Sequence, residues 1–229
     1  MKKKRLAIIP AREGSKRIKN KNLKKFHHKP LIYYSITSTL NSGIFDKVHI
    51  SSESQKILNY SKNLGIVNDF VRPKKLSDDQ VGVFPVVKYV AEQYKRMGCV
   101  FDEIWLVYAT NPFISQEIIK KCSLKYNEIS NKSSNALITV TKYNYPIQWA
   151  HKINDRGFLV PLDKRGIKLR SQDLLNTYCD AGMINVYSWK KILNNFNNIK
   201  YYPYELPLYK SIDIDTLEDF KIAEKIYKF

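Results

Sequence analysis

Short apolar runs without polar alternation recur along this chain, and longer stretches with apolar residues at helical spacing lie between them. Leu6, Ala7, Ile8 and Ile9 form the first run, closed by Pro10. A run with no polar face suits a strand covered on both sides, as in a parallel sheet packed between helices. Pro30 then opens a helical pattern through Leu31, Tyr34, Ile36 and Leu40, which stops at Asn41, Ser42 and Gly43. The same alternation predicts strands over 47–52, 103–108 and 136–141, and helices over 55–64, 86–97 and 116–128. Gly65 and Gly98 terminate the first two of these helices, and a further short strand is expected around 68–72. Regular exchange of strand and helix predicts βαβ units in an α/β, doubly wound, mostly parallel sheet.

Residues 143–177 break that rhythm. Asn154, Asp155, Arg156 and Gly157, and later Lys164, Arg165 and Gly166, are turn formers separated by short apolar pieces. They predict a β-rich excursion inserted into a single domain over 1–229. A strand over 183–187, a helix over 189–194 and a last helix over 216–227 are expected after it. At 229 residues the chain can bury a substantial core.

Composition excludes several function classes. No stretch approaches the roughly 18 apolar residues of a membrane-spanning helix, so no membrane role is expected. The apolar run after the Lys-rich start is too short for a secretory signal, and Cys99, Cys122 and Cys179 have neither metal-ligand nor disulfide-framework spacing. A cytoplasmic location is expected. The net charge of +18 would attract nucleic acid, but the basic residues are scattered and no nucleic-acid-binding motif accompanies them. A polyphosphate substrate would use the same positive field locally.

The chemistry is concentrated in the loop after the first strand, Pro10-Ala11-Arg12-Glu13-Gly14-Ser15-Lys16-Arg17. Ligands of open parallel sheets bind beyond the carboxyl ends of the strands, where this loop sits. Gly14 allows backbone N–H groups close to a phosphate, Ser15 offers a hydroxyl, and Arg12, Lys16, Arg17 and Lys21 offer cations. The spacing is neither that of a P-loop nor that of a dinucleotide fingerprint. Near the other end, Asp213 and Asp215 flank Ile214, so an extended segment would project both carboxylates to one face. Such a pair can hold Mg²⁺ together with phosphate oxygens. Asp215 or Thr216 can also cap the helix that follows, with Glu218 and Asp219 in its first turn. His27 and His28, in a Lys-rich loop, are expected to be solvated, and Tyr145, Trp149, Tyr178 and Tyr187 to serve mainly packing.

The segment from Pro10 through Lys21 and Asn22 resembles the signature of the acylneuraminate cytidylyltransferases, which make CMP-activated nonulosonic acids. Pro30 to Ile36, Phe45 to Ser52, Arg72-Pro73, Leu76-Ser77-Asp78-Asp79 and Ser211 to Asp219 keep the family's order, so the resemblance covers nearly the whole chain. Tyr108-Ala109-Thr110-Asn111-Pro112-Phe113, Tyr145-Pro146-Ile147-Gln148, Arg170-Ser171-Gln172-Asp173-Leu174 and Tyr178-Cys179-Asp180-Ala181-Gly182 look most like the branch acting on pseudaminic acid. N-acetylneuraminic and legionaminic acid are the alternative substrates. The nearest rival is another sugar nucleotidyltransferase, such as the 3-deoxy-octulosonate cytidylyltransferases, whose opening loop lacks the Gly-Ser-Lys-Arg and Lys-Asn arrangement, and charge alone suggests a non-enzymatic nucleotide- or nucleic-acid-binding protein.

The resemblance implies a Rossmann-like nucleotidyltransferase that joins CTP and a nonulosonic acid with Mg²⁺ on Asp213 and Asp215. It assigns Ala11, Arg12, Gly14, Ser15, Lys16, Asn22 and Arg72 to the nucleotide, with Arg12, Lys21 and the two aspartates at the reacting phosphate. Gln148, Arg170, Gln172 and Tyr178 are expected to meet the sugar acid, Arg170 as a bidentate carboxylate clamp. Relatives carry hydroxyl residues after the Asp78-Asp79 pair, where this chain has Gln80-Val81-Gly82-Val83; cytosine contacts are therefore expected from backbone groups, Gln80 or elsewhere. Residues 143–177 resemble the family's dimerisation arm, which reaches the partner's site, so a homodimer is implied.

Overall fold

A computed structural model describes residues 3–130, 135–194 and 198–227. In chain order its elements are β1 (Arg5–Pro10), a small hairpin of β2 (Lys25–Phe26) and β3 (Lys29–Pro30), α1 (Leu31–Ser42), β4 (Lys47–Ser51), α2 (Gln55–Asn63) and α3 (Val83–Arg96). β5 (Glu103–Val107), α4 (Gln116–Ile129), β6 (Asn135–Lys142), a second hairpin of β7 (His151–Ile153) and β8 (Leu159–Pro161), β9 (Tyr178–Ser188), α5 (Trp189–Asn194), β10 (Lys200–Glu205) and α6 (Leu217–Ile226) follow. Six strands form one sheet in the order β10-β6-β9-β5-β1-β4. β1 runs parallel to β4 and β5, β10 runs parallel to β6, and β9 alone is antiparallel to its neighbours β5 and β6. The expected mostly parallel α/β sheet is present. No helix among the described residues is long and apolar enough to cross a membrane.

The unbroken apolar runs are explained by helices on both faces. Leu6 and Ile8 of β1, with Ile104 and Leu106 of β5, pack against Val87, Val90 and Ala91 of α3. Ile9, Trp105 and Val107 point the other way, into a core with Ile32 and Ile36 of α1 and Ile118 and Ile119 of α4. β1 and β5 therefore bury both of their faces, which leaves no place for a polar alternation. A third cluster joins the two ends of the chain: Ile18, Phe26 and Leu31 pack on Ile214, Phe220 and Ala223.

Four local expectations need correction, and one strand, β10, was not expected. Residues 68–72 form no strand: the Asn68 side chain accepts from the Ile50 amide at 2.7 Å, so a side chain takes the place of a ladder partner. β10 (KYYPYE) lacks the aliphatic run that marks the inner strands, and Pro203 is tolerated because the strand lies at the sheet edge. The excursion at 143–177 is less β-rich than its turn formers suggest; beyond the three-residue strands β7 and β8 it consists mainly of turns at Ile147–Trp149, Gly166–Lys168 and Ser171–Asp173. His27 is half-buried rather than fully solvated, its ring meeting Phe26 at 5.1 Å and Tyr227 at 5.5 Å, and Tyr145 is 74% exposed rather than packed.

Candidate active site

The loop at the end of β1 is held on three sides. The Ala11 amide donates to Ser51 O at 2.9 Å, prolonging the β1–β4 pairing, and Ala11 itself is buried. Further on, the Glu13 amide donates to Glu53 Oε1 at 2.8 Å, while the Glu13 carboxylate accepts from the Ser54 hydroxyl at 2.6 Å and pairs with Lys56 at 3.1 Å. The Ser15 amide turns back to Glu13 O at 2.8 Å around Gly14, a three-residue turn that leaves open space where a Gly14 Cβ would stand. From below, Ile18 anchors the loop in the cluster with Ile214 and Phe220. Buried Asn22 donates its amide to Arg12 O at 2.9 Å and so closes the loop on itself.

These contacts frame a cleft of about 450 Å³. Arg12, Ser15, Lys16, Arg17, Lys21, Asn22 and Arg72 line its polar side; Leu76, Val81, Val83 and Val86 form an apolar wall; Tyr108, Ala109 and Thr110 lie at the end of β5. Arg72 is buried and its guanidinium pairs with Glu53 at 3.0 Å, which also takes the Ser77 hydroxyl at 2.8 Å. Val81 and Val83 enter the cleft as apolar surface around Gly82, the residue that precedes α3, whereas Gln80 lines an adjoining open depression with Lys74 and Lys75 that shares Asp78 and Val81 with the cleft.

The cations of the cleft are held by carboxylates. Asp79 pairs with Arg12 and, at 2.6 Å, with Lys16; these hydrogen bonds hold its carboxyl below the usual range. Lys21 donates to Asp215 Oδ1 at 2.9 Å and to Ile214 O at 2.7 Å, and Arg17 reaches Asp215 Oδ2 at 2.9 Å. Burial opposes ionisation of Asp215, but Lys21 and Arg17 outweigh it and lower its pKa. Asp213 goes the other way: burial raises its pKa, Asp215 adds to the rise, and the Thr110 hydroxyl offsets part of it.

Ile214 is buried between the two aspartates, so the alternation expected of an extended segment holds although no strand forms there. Thr216 caps α6 in a reciprocal box with Asp219, leaving Asp213 and Asp215 free of the capping role. Among the described residues no three His, Cys, Asp or Glu side chains converge as a metal cage. Two carboxylates do suit a hard cation that keeps waters and phosphate oxygens as its other ligands. Asp213 Oδ1 fits that use, being a buried carboxylate oxygen with no hydrogen-bond partner among the described residues.

Of the residues expected at the nucleotide, Arg12, Ser15, Lys16, Lys21, Asn22, Arg72 and Asp215 share the cleft. Ala11 and Gly14 shape the loop without lining the cleft, and Asp213, two residues before Asp215, is not among the lining residues either. Gln148, Arg170, Gln172 and Tyr178 are not among the lining residues. Gln148 packs beneath Gly166, Arg170 is exposed and pairs with Asp173 at 3.3 Å, and Tyr178 starts β9 half-exposed. Glu13, Glu53, Asp79, Tyr108 and Thr110 were missed as site-forming residues. Their positions follow from partners distant in sequence, and only the acids beside the basic motifs hinted at them.

Three comparisons bear on this site. The sequence profile of the family described as "Cytidylyltransferase" matches residues 6–227. A pseudaminic acid cytidylyltransferase of Campylobacter jejuni is 38% identical over 227 residues, covering 98% of this chain and 97% of that protein. A CMP-N,N'-diacetyllegionaminic acid synthase of Legionella pneumophila is 29% identical over 231 residues, covering 96% and 95%. Among solved structures, a CMP:2-keto-3-deoxy-manno-octonic acid synthetase complexed with CTP superposes with a TM-score of 0.71 over 97% of this chain and 98% of that one, at 14% identity.

Proposed function

The chain belongs to the cytidylyltransferase family, and from that premise we propose that it transfers CMP from CTP to a nonulosonic acid, with pseudaminic acid as the preferred acceptor, releasing pyrophosphate. The observation that carries this reading is the convergence of Arg12, Ser15, Lys16, Lys21 and Arg72 on one cleft at the end of β1, next to Asp215. The identity of the Campylobacter relative, at near-full coverage of both chains, favours pseudaminic acid over the other acceptors.

In this reading Arg12, Ser15 and Lys16 bind the β- and γ-phosphates, Arg12 and Lys16 leaving Asp79 to do so. Lys21 sits beside the α-phosphate and stabilises the charge that develops as the anomeric hydroxyl of the sugar acid attacks in line. Asn22 and Arg72 orient the base against the wall of Val81, Val83 and Val86. Gly14 and Ala11 keep the loop's amides close to the phosphates. Asp213 and Asp215 would hold Mg²⁺, which would neutralise phosphate charge and polarise the α-phosphate; Asp215 would then give up part of its pairing with Lys21 and Arg17.

Gln148, Arg170, Gln172 and Tyr178 belong to the sugar-acid site, Arg170 as the carboxylate clamp. Because Gln148, Arg170 and Gln172 lie on the 143–177 excursion, Tyr178 follows it at the start of β9, and all four stand outside the chain's own cleft, the excursion serves as an arm that delivers them to the partner's cleft in a homodimer. The enzyme works in the cytoplasm, where its three cysteines stay reduced.

Pyrophosphate release from CTP and Mg²⁺ with pseudaminic, legionaminic and N-acetylneuraminic acids tests the reading. The expected result is the highest kcat/KM with pseudaminic acid; a better acceptor among the other two would overturn the sugar assignment, and no release with any would overturn the reaction.

A further inference from the structure

β9 does not pass the site as a regular strand. Leu137 and Ile138 of β6 face Val186 and Asn185, but Val140 faces Asp180, so Thr139 stands opposite the four residues 181–184. That is a pronounced bulge, and bulges beside sites re-aim side chains. Thr139 fills it from within the sheet. Its buried hydroxyl donates to Ile184 O at 3.1 Å and accepts from the Ile184 amide at 3.0 Å, replacing the ladder bonds that the bulge removes. Asp180 Oδ1 accepts from the Gly182 amide at 2.9 Å, and the buried Asn111 side chain donates to Ala181 O at 3.2 Å.

At the crest of the bulge Gly182 has φ +56°, the left-handed region that favours glycine. A Cβ built on it would stand 2.8 Å from Asp213 Oδ2 and 2.9 Å from Asp213 Cγ, far inside contact distance. The Asp213 carboxylate therefore rests directly on bare backbone. Its other oxygen, Oδ1, is buried and has no hydrogen-bond partner among the described residues. An unpaired carboxylate oxygen is costly to bury, so this arrangement is maintained against its own desolvation. A cation at Oδ1 would supply the missing partner.

We infer that the β9 bulge is a positioning device, in which Thr139 fixes the bulge and Gly182 seats Asp213 with Oδ1 turned toward the metal. The inference rests on the assignment of Asp213 as a metal ligand. Gly182 and Thr139 are positioning residues and touch no reacting atom.

The test is direct binding of Mn²⁺, followed by electron paramagnetic resonance, to the full chain with saturating CTP and no sugar acid, alongside CTP affinity without metal. Gly182→Ala should weaken Mn²⁺ about 10- to 100-fold while metal-free CTP binding stays within about twofold. Thr139→Val should act in the same direction, and Thr139→Ser, which keeps the hydroxyl, should restore wild-type Mn²⁺ affinity. This pair decides the matter if Gly182→Ala does not fold. Asp213→Asn separates the two levels. If it weakens Mn²⁺ but Gly182→Ala and Thr139→Val do not, the positioning role is overturned and the ligand assignment stands. If Asp213→Asn leaves Mn²⁺ affinity intact, the ligand assignment fails and the positioning role fails with it.

Discussion

His49 lies on β4 with its ring 4.4 Å from that of Phe70 and its Nδ1 3.2 Å from the Tyr94 hydroxyl, fully removed from solvent. Burial pushes the imidazole down to about 3, a shift that nearby Asp69 only partly opposes. The unfolded chain takes up a proton near pH 6.5 that the folded chain refuses, so the group's contribution is complete above that pH and is lost progressively as pH falls toward 3. Each pH unit below 6.5 should remove about 1.4 kcal/mol, or about 2 kcal/mol by pH 5. Urea unfolding at several pH values checks this, and a flat profile between pH 6.5 and 5 would refute it. Replacing His49 with a non-titrating Phe should flatten the slope in that window. Nothing in the sequence around His49 announces its burial, whereas Arg12, Lys16 and Lys21 were legible because three cations share one loop after an apolar strand. What sequence could not supply is the other half of each pair: Asp79, Asp215 and Glu53 meet their partners only through the fold.

At the scale of elements, α6 shows how a cap serves a site. Asp219 Oδ2 accepts from the Thr216 amide at 2.7 Å and the Asp215 amide at 3.2 Å, and Thr216 Oγ1 accepts from the Asp219 amide at 3.1 Å. The cap that starts the helix thereby fixes the backbone of Asp215, while Phe220 and Ala223 dock the same helix under the β1 loop. Asp219→Ala strips the acceptor from two amides and should cost about 1 kcal/mol, lowering Tm by about 2–4 °C. Asp219→Asn keeps an acceptor and should lose less; a thermal melt in which Asp219→Ala matches wild type would deny the cap this role. The helix was legible, because Thr216 followed by acids at Glu218 and Asp219 is a strong start signal. The strand expected at 68–72 failed because Asn68 substitutes for a ladder partner, and β10 escaped notice because its tyrosines and Pro203 carry no aliphatic run.

The whole molecule poses a problem that one chain leaves open. Residues 143–177 expose Phe158, Leu159, Leu162 and Leu175, the last at 84%, and carry Arg170 and Gln172 outside the cleft that holds Lys21. The alternation of strands and helices made the sheet readable, but the homodimer proposed above puts the arm's destination on a second copy, which no pattern within one chain announces. In a crossed homodimer each cleft takes Lys21 from one subunit and Arg170 from the other. Lys21→Ala and Arg170→Ala should each abolish turnover in their own homodimers. Coexpressed, they form mixed dimers in which one cleft combines an intact Lys21 with the partner's intact Arg170. Random pairing puts about half of the dimers in this class, with one of two sites restored, so activity should recover to roughly one quarter of wild type. An arm that served its own cleft would leave every site in the mixture with one residue missing. Coexpressed protein no more active than either parent, in a sample shown to be dimeric, would therefore rule out the exchange of arms, and full activity of Arg170→Ala alone would remove the clamp from the sugar site.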